Sequence, residues 1–438
     1  MANTFLSRSN SSGTSTQKGT ISVWIKGSEE PSGNNQTTLA CWGNANNHGA
    51  LIWNGGDKID AFDYQSGYAS QLQTNALLRD SSAWYHIVYA WDTTLSTAND
   101  RQKIYINGIE QTYSTRTNYS TNAATSWNAN SYSMRVGGLN SSSYFNGLMS
   151  HIHFIDGIAY APTLFGETDS TTGQWKIKTS PSVTYGNNGF FILKDGNTIT
   201  DSSSNSNNFS LSGGTLTKTE DCPSNNFATL NPLLDVNAVP TFLNGNTTIV
   251  GSSSGGARLS GSSISVGTGK WYYEIKTTVD GSQPYIGVID AQSNIRRNSS
   301  YFVAASSGSN DSGYAVNMSG DIYHNNSSTY ASNIGSISTG DILGFAVDLT
   351  TAQKTCTIYK NGTSMRTFNL ANPSSGNYIL GVCSISNSTS AKCEVNFGNG
   401  KFGTTAVSSA GTNASANGIF EYNVPSGYSA LSTKGLNL

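Results

Sequence analysis

The chain consists mainly of short apolar runs with a period of two, and clusters of Ser, Asn, Thr and Gly separate these runs. In TISVWIKG (20–27), Ile21, Val23 and Ile25 share one face, because side chains alternate along a strand. The run SAWYHIVYAWD (82–92) is apolar on both faces, which indicates a central strand covered on both sides. No segment shows helical periodicity of useful length. The pattern predicts an all-β fold made of β-sandwiches.

The composition supports this expectation. Charged residues make up 11% of the 438 residues, whereas an average soluble protein has roughly 25%, so long surface helices built on Glu, Lys and Arg are disfavoured. Aromatic residues also make up 11% of the chain, which argues against intrinsic disorder. At roughly 150 residues per domain, the length fits two to three domains.

Charge and hydropathy exclude two classes of partner. The formal net charge is -2, and Lys and Arg form no cluster, so we expect no nucleic-acid partner. No apolar run approaches about 18 residues, so we expect no membrane partner. The start MANTFLSRSNSSG has neither the basic nor the apolar region of a signal peptide, so we expect no Sec-type export.

Turn dipeptides mark the hairpins. Three of them tolerate positive φ at both central positions and are flanked by strand-forming residues: Asn107-Gly108, Asp195-Gly196 and Asn361-Gly362.

The sequence changes character near residue 166. Residues 166–227 include the low-complexity run 201–214, but Trp175 and the Phe190–Ile192 triplet provide a small apolar set. Because long structureless loops are unusual inside folded proteins, we predict a small β connector over 166–227. The two domains are then residues 1–165 and 228–438.

The five cysteines form no metal or disulfide framework. Their number is odd and no CxxC spacing occurs: Cys41, Cys222, Cys356, Cys383 and Cys393. We expect mostly free, buried thiols made in a reducing cytoplasm. A cross-strand disulfide between Cys383 and Cys393 in the hairpin 379–397 stays open as an alternative.

The first domain resembles the laminin-G-like, concanavalin-A-like sandwich family. The resemblance rests on an aromatic-rich strand (82–92), an Asn-Gly hairpin in KIYINGIEQ (103–111) and glycine-led closing strands within 133–166. The second domain resembles the SPRY domain, another two-sheet sandwich. Its resemblance rests on five stretches: GKWYYEI (269–275), YIGVID (285–290), GDILGFAVDL (340–349), IYKNGTSM (358–365) and VNFGNGKF (395–402). Together they imply two jelly-roll or concanavalin-A-like sandwiches.

The order of the two domains resembles virion proteins of tailed bacteriophages. FGETD (165–169), ATLNPLL (228–234) and the ending from Phe420 carry this likeness. It implies a non-enzymatic structural protein on the virion exterior, as a capsid decoration, tail appendage or tail fibre. The implied partners are other virion proteins, further copies of the chain and host surface polysaccharide. The alternatives are a secreted bacterial lectin or adhesin and, third, a polysaccharide-degrading sandwich.

Glycosidases of such sandwiches need paired carboxylates on one strand face. The densest acidic run is DKIDAFD (57–63), in which Asp57 and Asp63 share a parity and Asp60 has the other. We therefore predict no catalytic pair and interpret the run as a solvated rim. We expect no cofactor; the laminin-G resemblance implies calcium as the alternative, with Asp57, Asp60 and Asp63 as the available ligands.

The sequence also bears on zinc binding and on nucleophilic or phosphate chemistry. His151 and His153 alternate by two and so project from one strand face, which suits a zinc ion, but the sequence offers no third ligand. No GxSxG nucleophile motif and no phosphate-binding glycine loop followed by a helix occurs. We therefore expect no enzyme activity.

Candidate binding residues come from two groups. Aromatic side chains in polar, glycine-containing segments can stack on sugar rings; the candidates are Trp53, Tyr64, Tyr68, Tyr119, Trp127 and Tyr144. The SPRY resemblance implies a protein contact through loops at one end of the second sandwich. Arg and Tyr are enriched at interface hot spots, and the candidates are Arg296, Arg297, Tyr301, Tyr323 and Tyr330.

Overall fold

A computed structural model shows an all-β protein and confirms the predicted fold class. It describes residues 3–28, 31, 33–140, 143–194, 196–234, 240–251, 258–278, 284–292, 313–324, 327–385, 390–408 and 417–437. In this part of the chain the helices are single 3₁₀ turns. The chain divides into two compact units, residues 1–218 and 219–438.

Within its described residues, the first unit contains sixteen strands. Their bounds are β1 Phe5–Ser9, β2 Lys18–Gly27, β3 Gln36–Asn44, β4 Asn47–Trp53, β5 Ile59–Gln65, β6 Tyr68–Thr74, β7 Tyr85–Asp92, β8 Gln102–Ile106, β9 Ile109–Glu110, β10 Tyr113–Thr117, β11 Ser133–Val136, β12 Gly147–Asp156, β13 Gly166–Thr168, β14 Trp175–Ile177, β15 Phe190–Ile192 and β16 Ser210–Gly213. Three 3₁₀ turns lie at Ala98–Asp100, Ser126–Asn128 and Pro162–Leu164.

Fourteen of these strands form two facing sheets, and β13 and β14 form a separate two-stranded sheet. The eight-stranded sheet has the order β10-β6-β5-β4-β3-β11-β1-β16, and the six-stranded sheet has the order β15-β12-β2-β7-β8-β9. Ile21, Val23 and Ile25 of β2 lie in the core between them, as the alternation predicted. The strand predicted as central, β7, lies between β2 and β8. Its outward residue Val88 is covered by a second apolar cluster.

The segment predicted as a separate connector is divided between the two units. Residues 166–218 belong to the first unit, because β15 pairs with β12 and β16 pairs with β1. Phe190, Ile192 and Phe209 fill part of the first core. Residues 219–227 belong to the second unit.

The second unit contains seventeen strands in the described ranges. Their bounds are β17 Thr241–Leu243, β18 Thr248–Val250, β19 Arg258–Ser260, β20 Ser265–Val266, β21 Lys270–Thr278, β22 Tyr285–Asp290, β23 Tyr314–Val316, β24 Ile322–His324, β25 Ser327–Ala331, β26 Ile342–Asp348, β27 Lys354–Lys360, β28 Thr363–Leu370, β29 Tyr378–Ile385, β30 Lys392–Asn396, β31 Lys401–Phe402, β32 Thr405–Ala406 and β33 Ser429–Ala430. A 3₁₀ turn at Gly435–Asn437 follows.

Two sheets face each other in this unit as well. One has the order β17-β18-β30-β21-β26-β27-β28 with β33 beside β21, and the other has the order β19-β29-β22-β23-β24-β25 with β20 beside β29. Trp271, Tyr273 and Ile275 of β21 point into the core, as their alternation predicted. The opposite face of β21 is covered by the C-terminal segment 417–437, which contributes Phe420 and other apolar side chains.

Two of the three predicted hairpin turns lie wholly in the described residues. Asn107 and Gly108 have φ values of 48° and 81° and join β8 to β9. Asn361 and Gly362 have φ values of 48° and 80° and join β27 to β28. These angles are those of a type I′ turn. The third turn contains Asp195, which lies outside the described residues.

All five cysteines are free thiols, and four of them are buried. Cys383 on β29 and Cys393 on β30 lie in different sheets of the second sandwich. They face each other through the core rather than across a hairpin of one sheet, and they do not form the alternative disulfide.

Candidate functional site

The eight-stranded sheet of the first unit has a second face that points away from the core, here called the outer face. On β5 the odd positions Ile59 and Ala61 pack into the core. The even position Phe62 joins a separate apolar cluster on the outer face. Since neighbouring residues of a strand point to opposite sides, Asp60 and Tyr64 also belong to the outer face.

Four ring side chains line up across this face. The strand register places Trp42 opposite His48, His48 opposite Tyr64, and Tyr64 opposite Tyr68. The corresponding ring centroids are 5.0, 5.6 and 5.4 Å apart. Tyr68 is 53% exposed, and the other three rings are partly exposed. We call Trp42, His48, Tyr64 and Tyr68 the aromatic row.

A polar group lies beside the aromatic row. Gln71 and Gln73 donate their Nε2 amides to Asp60 Oδ2, at 3.0 and 3.5 Å. Asp60 Oδ1 is buried and has no hydrogen-bond partner among the described residues. Burial raises the pKa of Asp60 to about 6, against the two amide hydrogen bonds. The outer face thus holds a buried carboxyl group and two amide groups next to the aromatic row.

A cation lies at the other end of the row. The Arg135 guanidinium lies 5.4 Å from the Trp42 ring centroid and 5.8 Å from that of Phe5. Its Nη1 donates to the Leu139 carbonyl at 2.7 Å. The Tyr144 ring lies 6.1 Å from the Phe5 ring. Arg135 is therefore held among aromatic rings on the outer face.

The structure separates the aromatic candidates into two sets of three. Tyr64 and Tyr68 are in the aromatic row, and Tyr144 contacts Phe5 near Arg135. Trp53, Tyr119 and Trp127 are at most 1% exposed and lie in the first core. The latter three do not form part of the outer-face site.

The interpretation of DKIDAFD as a solvated rim is wrong. Asp57, Asp60 and Asp63 are 8%, 5% and 0% exposed. Asp57 pairs with Arg79 at 2.9 Å, and Asp63 accepts hydrogen bonds in the core from Tyr119 and the Ser126 N–H. Each carboxyl therefore has its own surroundings, and the three do not converge as calcium ligands.

Several outer-face residues were missed by the sequence reasoning: Phe5, Trp42, His48, Phe62, Gln71, Gln73 and Arg135. The signal that could have found some of them is the parity of β5. Ile59 and Ala61 are the apolar odd positions, so the even positions Phe62 and Tyr64 had to face away from the core. The prediction of binding residues rests instead on the polarity of the surrounding segment. This polarity does not indicate to which side of the sheet a side chain points.

His151 and His153, the candidate zinc pair, are both buried, and they lie within hydrogen-bond distance of Ser150 and Tyr185, respectively. A bulge in the pairing of β12 with β2 lies between Ser150 and His153. His153 stacks on Phe191 at 3.9 Å, and burial lowers the pKa of this imidazole well below its usual range. Among the described residues no three His, Cys, Asp or Glu side chains are grouped to hold a metal ion.

The hydrogen bond between the buried residues Ser22 and His86 has the wrong donor for nucleophilic catalysis. Trp175 donates its indole N–H to His86 Nδ1 at 2.9 Å, so the proton of the neutral ring lies on Nε2. Nε2 is 2.8 Å from Ser22 Oγ and therefore donates to it. Burial lowers the pKa of His86 to about 3. His86 therefore does not accept the hydroxyl proton of Ser22.

The candidate protein-contact residues of the second sandwich do not form one described surface. Tyr323 packs beside Tyr285 on one side of its sheet. Tyr330 contacts Tyr314 and donates its hydroxyl to the Asn369 carbonyl. Arg296, Arg297 and Tyr301 lie outside the described residues, so that contact stays a prediction.

The geometry defines a tandem β-sandwich protein whose first sandwich has an aromatic outer face. No helix in the described ranges is long and apolar enough to cross a membrane. The family model described as the concanavalin A-like lectin/glucanases superfamily matches residues 3–159. The SPRY domain model matches residues 270–400. The chain therefore consists of a laminin-G, concanavalin-A-like domain followed by a SPRY domain.

Solved structures with similar folds are distant in sequence. The SPRY domain of human HERC1 is 18% identical, with 38% of this chain and 96% of that chain covered and a TM-score of 0.29. A putative carbohydrate binding protein from Bacteroides ovatus is 16% identical, and the match covers 50% of this chain and 58% of that protein, with a TM-score of 0.32.

Domain 4 of AbnA, an extracellular arabinanase from Geobacillus stearothermophilus in complex with arabinotriose, is 20% identical. The match covers 34% of this chain and 65% of the AbnA domain, with a TM-score of 0.28. No curated protein sequence matches the chain.

Proposed function

We propose that the protein binds carbohydrate through the outer face of its first sandwich and performs no chemistry on it. A lectin-like domain followed by a SPRY domain fits a binding role. The observation that carries the proposal is the aromatic row, which leaves rings partly exposed along one line. Such rings can stack on the apolar faces of sugars, while neighbouring amide and carboxyl groups hydrogen-bond the hydroxyls.

The spacing of the aromatic row suits an extended ligand. The row crosses β3, β4, β5 and β6, and adjacent strands lie roughly 4.8 Å apart. It therefore spans about 14 Å from the first strand to the last, which is more than one sugar ring. We infer that an oligosaccharide of two or more units binds across these strands.

The test is binding to an array of bacterial surface polysaccharides and oligosaccharides. Trp42→Ala and Tyr68→Ala should each weaken binding at least about tenfold, because each removes a stacking surface. The matched control is Tyr330→Ala, since Tyr330 is a part-exposed tyrosine of the second sandwich. If wild type binds no glycan, or if the row variants and the control bind alike, the proposal is wrong.

We further propose that this binding takes place on the exterior of a bacteriophage particle, where the protein serves as a capsid decoration or tail appendage. The likeness of the chain to virion proteins supports this location. A secreted bacterial lectin is the alternative. Mass spectrometry of purified particles, combined with surface labelling, should detect the chain as an exposed virion component. Its recovery only from the culture medium of uninfected bacteria would favour the alternative.

A further inference from the structure

Among the described residues, Arg135 has no anionic partner on the outer face. Its Nη1 donates to the Leu139 carbonyl, and its Nε makes a long contact of 3.5 Å with Ser133 Oγ. In the described part of the chain its Nη2 has no acceptor, and Arg135 forms no salt bridge. Because a guanidinium carries five N–H donors, several donors of Arg135 have no acceptor among the described residues.

The guanidinium is also held in place. The rings of Phe5 and Trp42 lie within 6 Å of it, a distance at which cation–π attraction operates. The Leu139 carbonyl fixes a third direction. A positioned guanidinium loses less conformational freedom on binding than a free side chain. Arg135 therefore has the properties of an anion-binding group rather than of a solvated surface charge.

The nearest candidate for an internal counter-ion on this face is too far away. Arg135 lies opposite Ala40, Ala40 opposite Ala50, and Ala50 opposite Phe62. Asp60 lies on the same strand as Phe62, three strands from Arg135, or about 14 Å at the usual strand spacing. This distance exceeds the Debye length of about 8 Å in physiological salt, so Asp60 does not neutralise Arg135.

The other charged and titratable groups of the face do not change this picture. Lys58 is a second cation and donates to Ser114. His48 is held neutral at pH 7, because burial lowers its pKa below the usual value. Burial lowers the pKa of Arg135, and the nearby Tyr144 opposes this effect. Arg135 stays charged at neutral pH, since an arginine titrates far above that range.

We propose that Arg135 binds an anionic substituent of the glycan, so that the ligand class is an acidic polysaccharide. This inference rests on the proposed function of the aromatic row. The anionic group presents two acceptor oxygens to the guanidinium, as a carboxylate or a sulfate ester does. The adjoining sugar rings stack on Trp42 and continue along the aromatic row.

The experiment compares matched pairs of polymers that differ in charge alone. Polygalacturonate is compared with its carboxyl-reduced form, and dextran sulfate with dextran. At low salt, wild type should bind the acidic member of at least one pair about tenfold or more tightly than the neutral member, because charge-assisted pairs with arginine are strong. The pair that shows the preference distinguishes a carboxylate from a sulfate.

Three variants test whether Arg135 causes the preference for the acidic polymers. Arg135→Gln should reduce the ratio of acidic to neutral binding to about one. Arg135→Lys keeps the charge but loses the planar fork, so it should retain only a small part of the preference. Arg116→Gln is the matched control, because Arg116 lies over the Tyr113 ring at 4.4 Å on the same sheet and should not affect the ratio. Thermal melting of the full chain checks that each variant is folded.

The outcomes separate the two proposals. If neutral and acidic polymers bind equally and Trp42→Ala abolishes both, the aromatic row binds glycan and this inference is wrong. If the acidic preference persists in Arg135→Gln, its assignment to Arg135 is wrong. If none of the four polymers is retained, and the array of the preceding section is also negative, both proposals fail.

Discussion

The carboxyl group of Glu274 should make the second sandwich less stable as the pH rises through neutrality. Glu274 lies on β21, is 0% exposed and points away from the core towards the C-terminal segment. It accepts hydrogen bonds from the backbone N–H groups of Glu421 and Tyr422, each at 2.9 Å. Tyr272 and Asn396 lie within hydrogen-bond distance of the same carboxyl, at 3.3 and 3.4 Å.

The magnitude follows from the pKa of this group. Burial raises the pKa of Glu274 from 4.5 to about 7, against the hydrogen bonds that favour the carboxylate. The folded state therefore holds the proton more tightly than the unfolded state does. The stability gained in this way is fully present below pH 4.5 and is lost as the pH rises through about 7. The difference between the two pKa values corresponds to about 3 kcal/mol of folding stability, at about 1.4 kcal/mol per pH unit.

The assay is hydrogen exchange at the amides of Glu421 and Tyr422 in the full chain, corrected for the intrinsic pH dependence of exchange. Their opening free energy should fall by about 2.5 kcal/mol between pH 5 and 8, because the first part of the loss occurs below pH 5. Glu274→Gln should remove this dependence. The side-chain amide lowers stability by its own amount at both pH values, so the difference between the two measurements cancels that effect.

The control is Glu394→Gln on the neighbouring strand β30, which should leave the pH dependence as in wild type. If wild type shows constant protection from pH 5 to 8, burial does not raise the pKa of Glu274 as argued. The same conclusion follows if Glu274→Gln keeps the wild-type slope.

Four further predictions concern the whole chain. Incubation with host polysaccharides should release no new reducing ends, and release that a single Asp→Asn or Glu→Gln change abolishes would show an enzyme. Gly362→Ala should lower the free energy of unfolding by about 1–2 kcal/mol or more, because Gly362 has φ +80° and an added Cβ would lie 2.7 Å from the Tyr422 ring; an unchanged denaturation midpoint would contradict this. A thiol reagent should label Cys222 in the native protein and all five cysteines after unfolding; four fast thiols in the native state would refute the burial. Residues 1–218 should melt cooperatively and residues 1–165 should not, since the shorter piece lacks β15 and β16; equal melting of both would restore the predicted boundary.

The sequence determines the strands better than their partners. The alternation of apolar residues is local, and it placed β2, β7 and β21 correctly. The pairing of β1 with β16 joins Leu6 to Leu211, and no local pattern reports a partner so far along the chain. For the same reason the segment 166–218 was assigned to a connector, although its strands complete the first sandwich.

The binding residues were harder to predict, because the direction in which a side chain points decides whether it is exposed. Tyr119 and Trp127 lie in polar, glycine-containing surroundings, which suggested surface loops. Asp63 in the core binds the Tyr119 hydroxyl and the Ser126 N–H at 3.1 and 2.9 Å. These two hydrogen bonds hold both segments in the core. The sequence does not show that the carboxyl group of Asp63 is buried there to accept them.

Coverage of the sheets by the chain itself distinguishes the outer face from the other sheet surfaces. The outward side of the six-stranded sheet packs against the segment that carries Phe165 and Tyr185. The outward side of β21 packs against the C-terminal segment around Phe420. The chain therefore has segments that cover the outward sides of two of its sheets. The aromatic row keeps Tyr68 half exposed. Exposed apolar rings mark interaction sites more often than they stabilise a free protein, and for this reason the proposed glycan binding is assigned to the outer face.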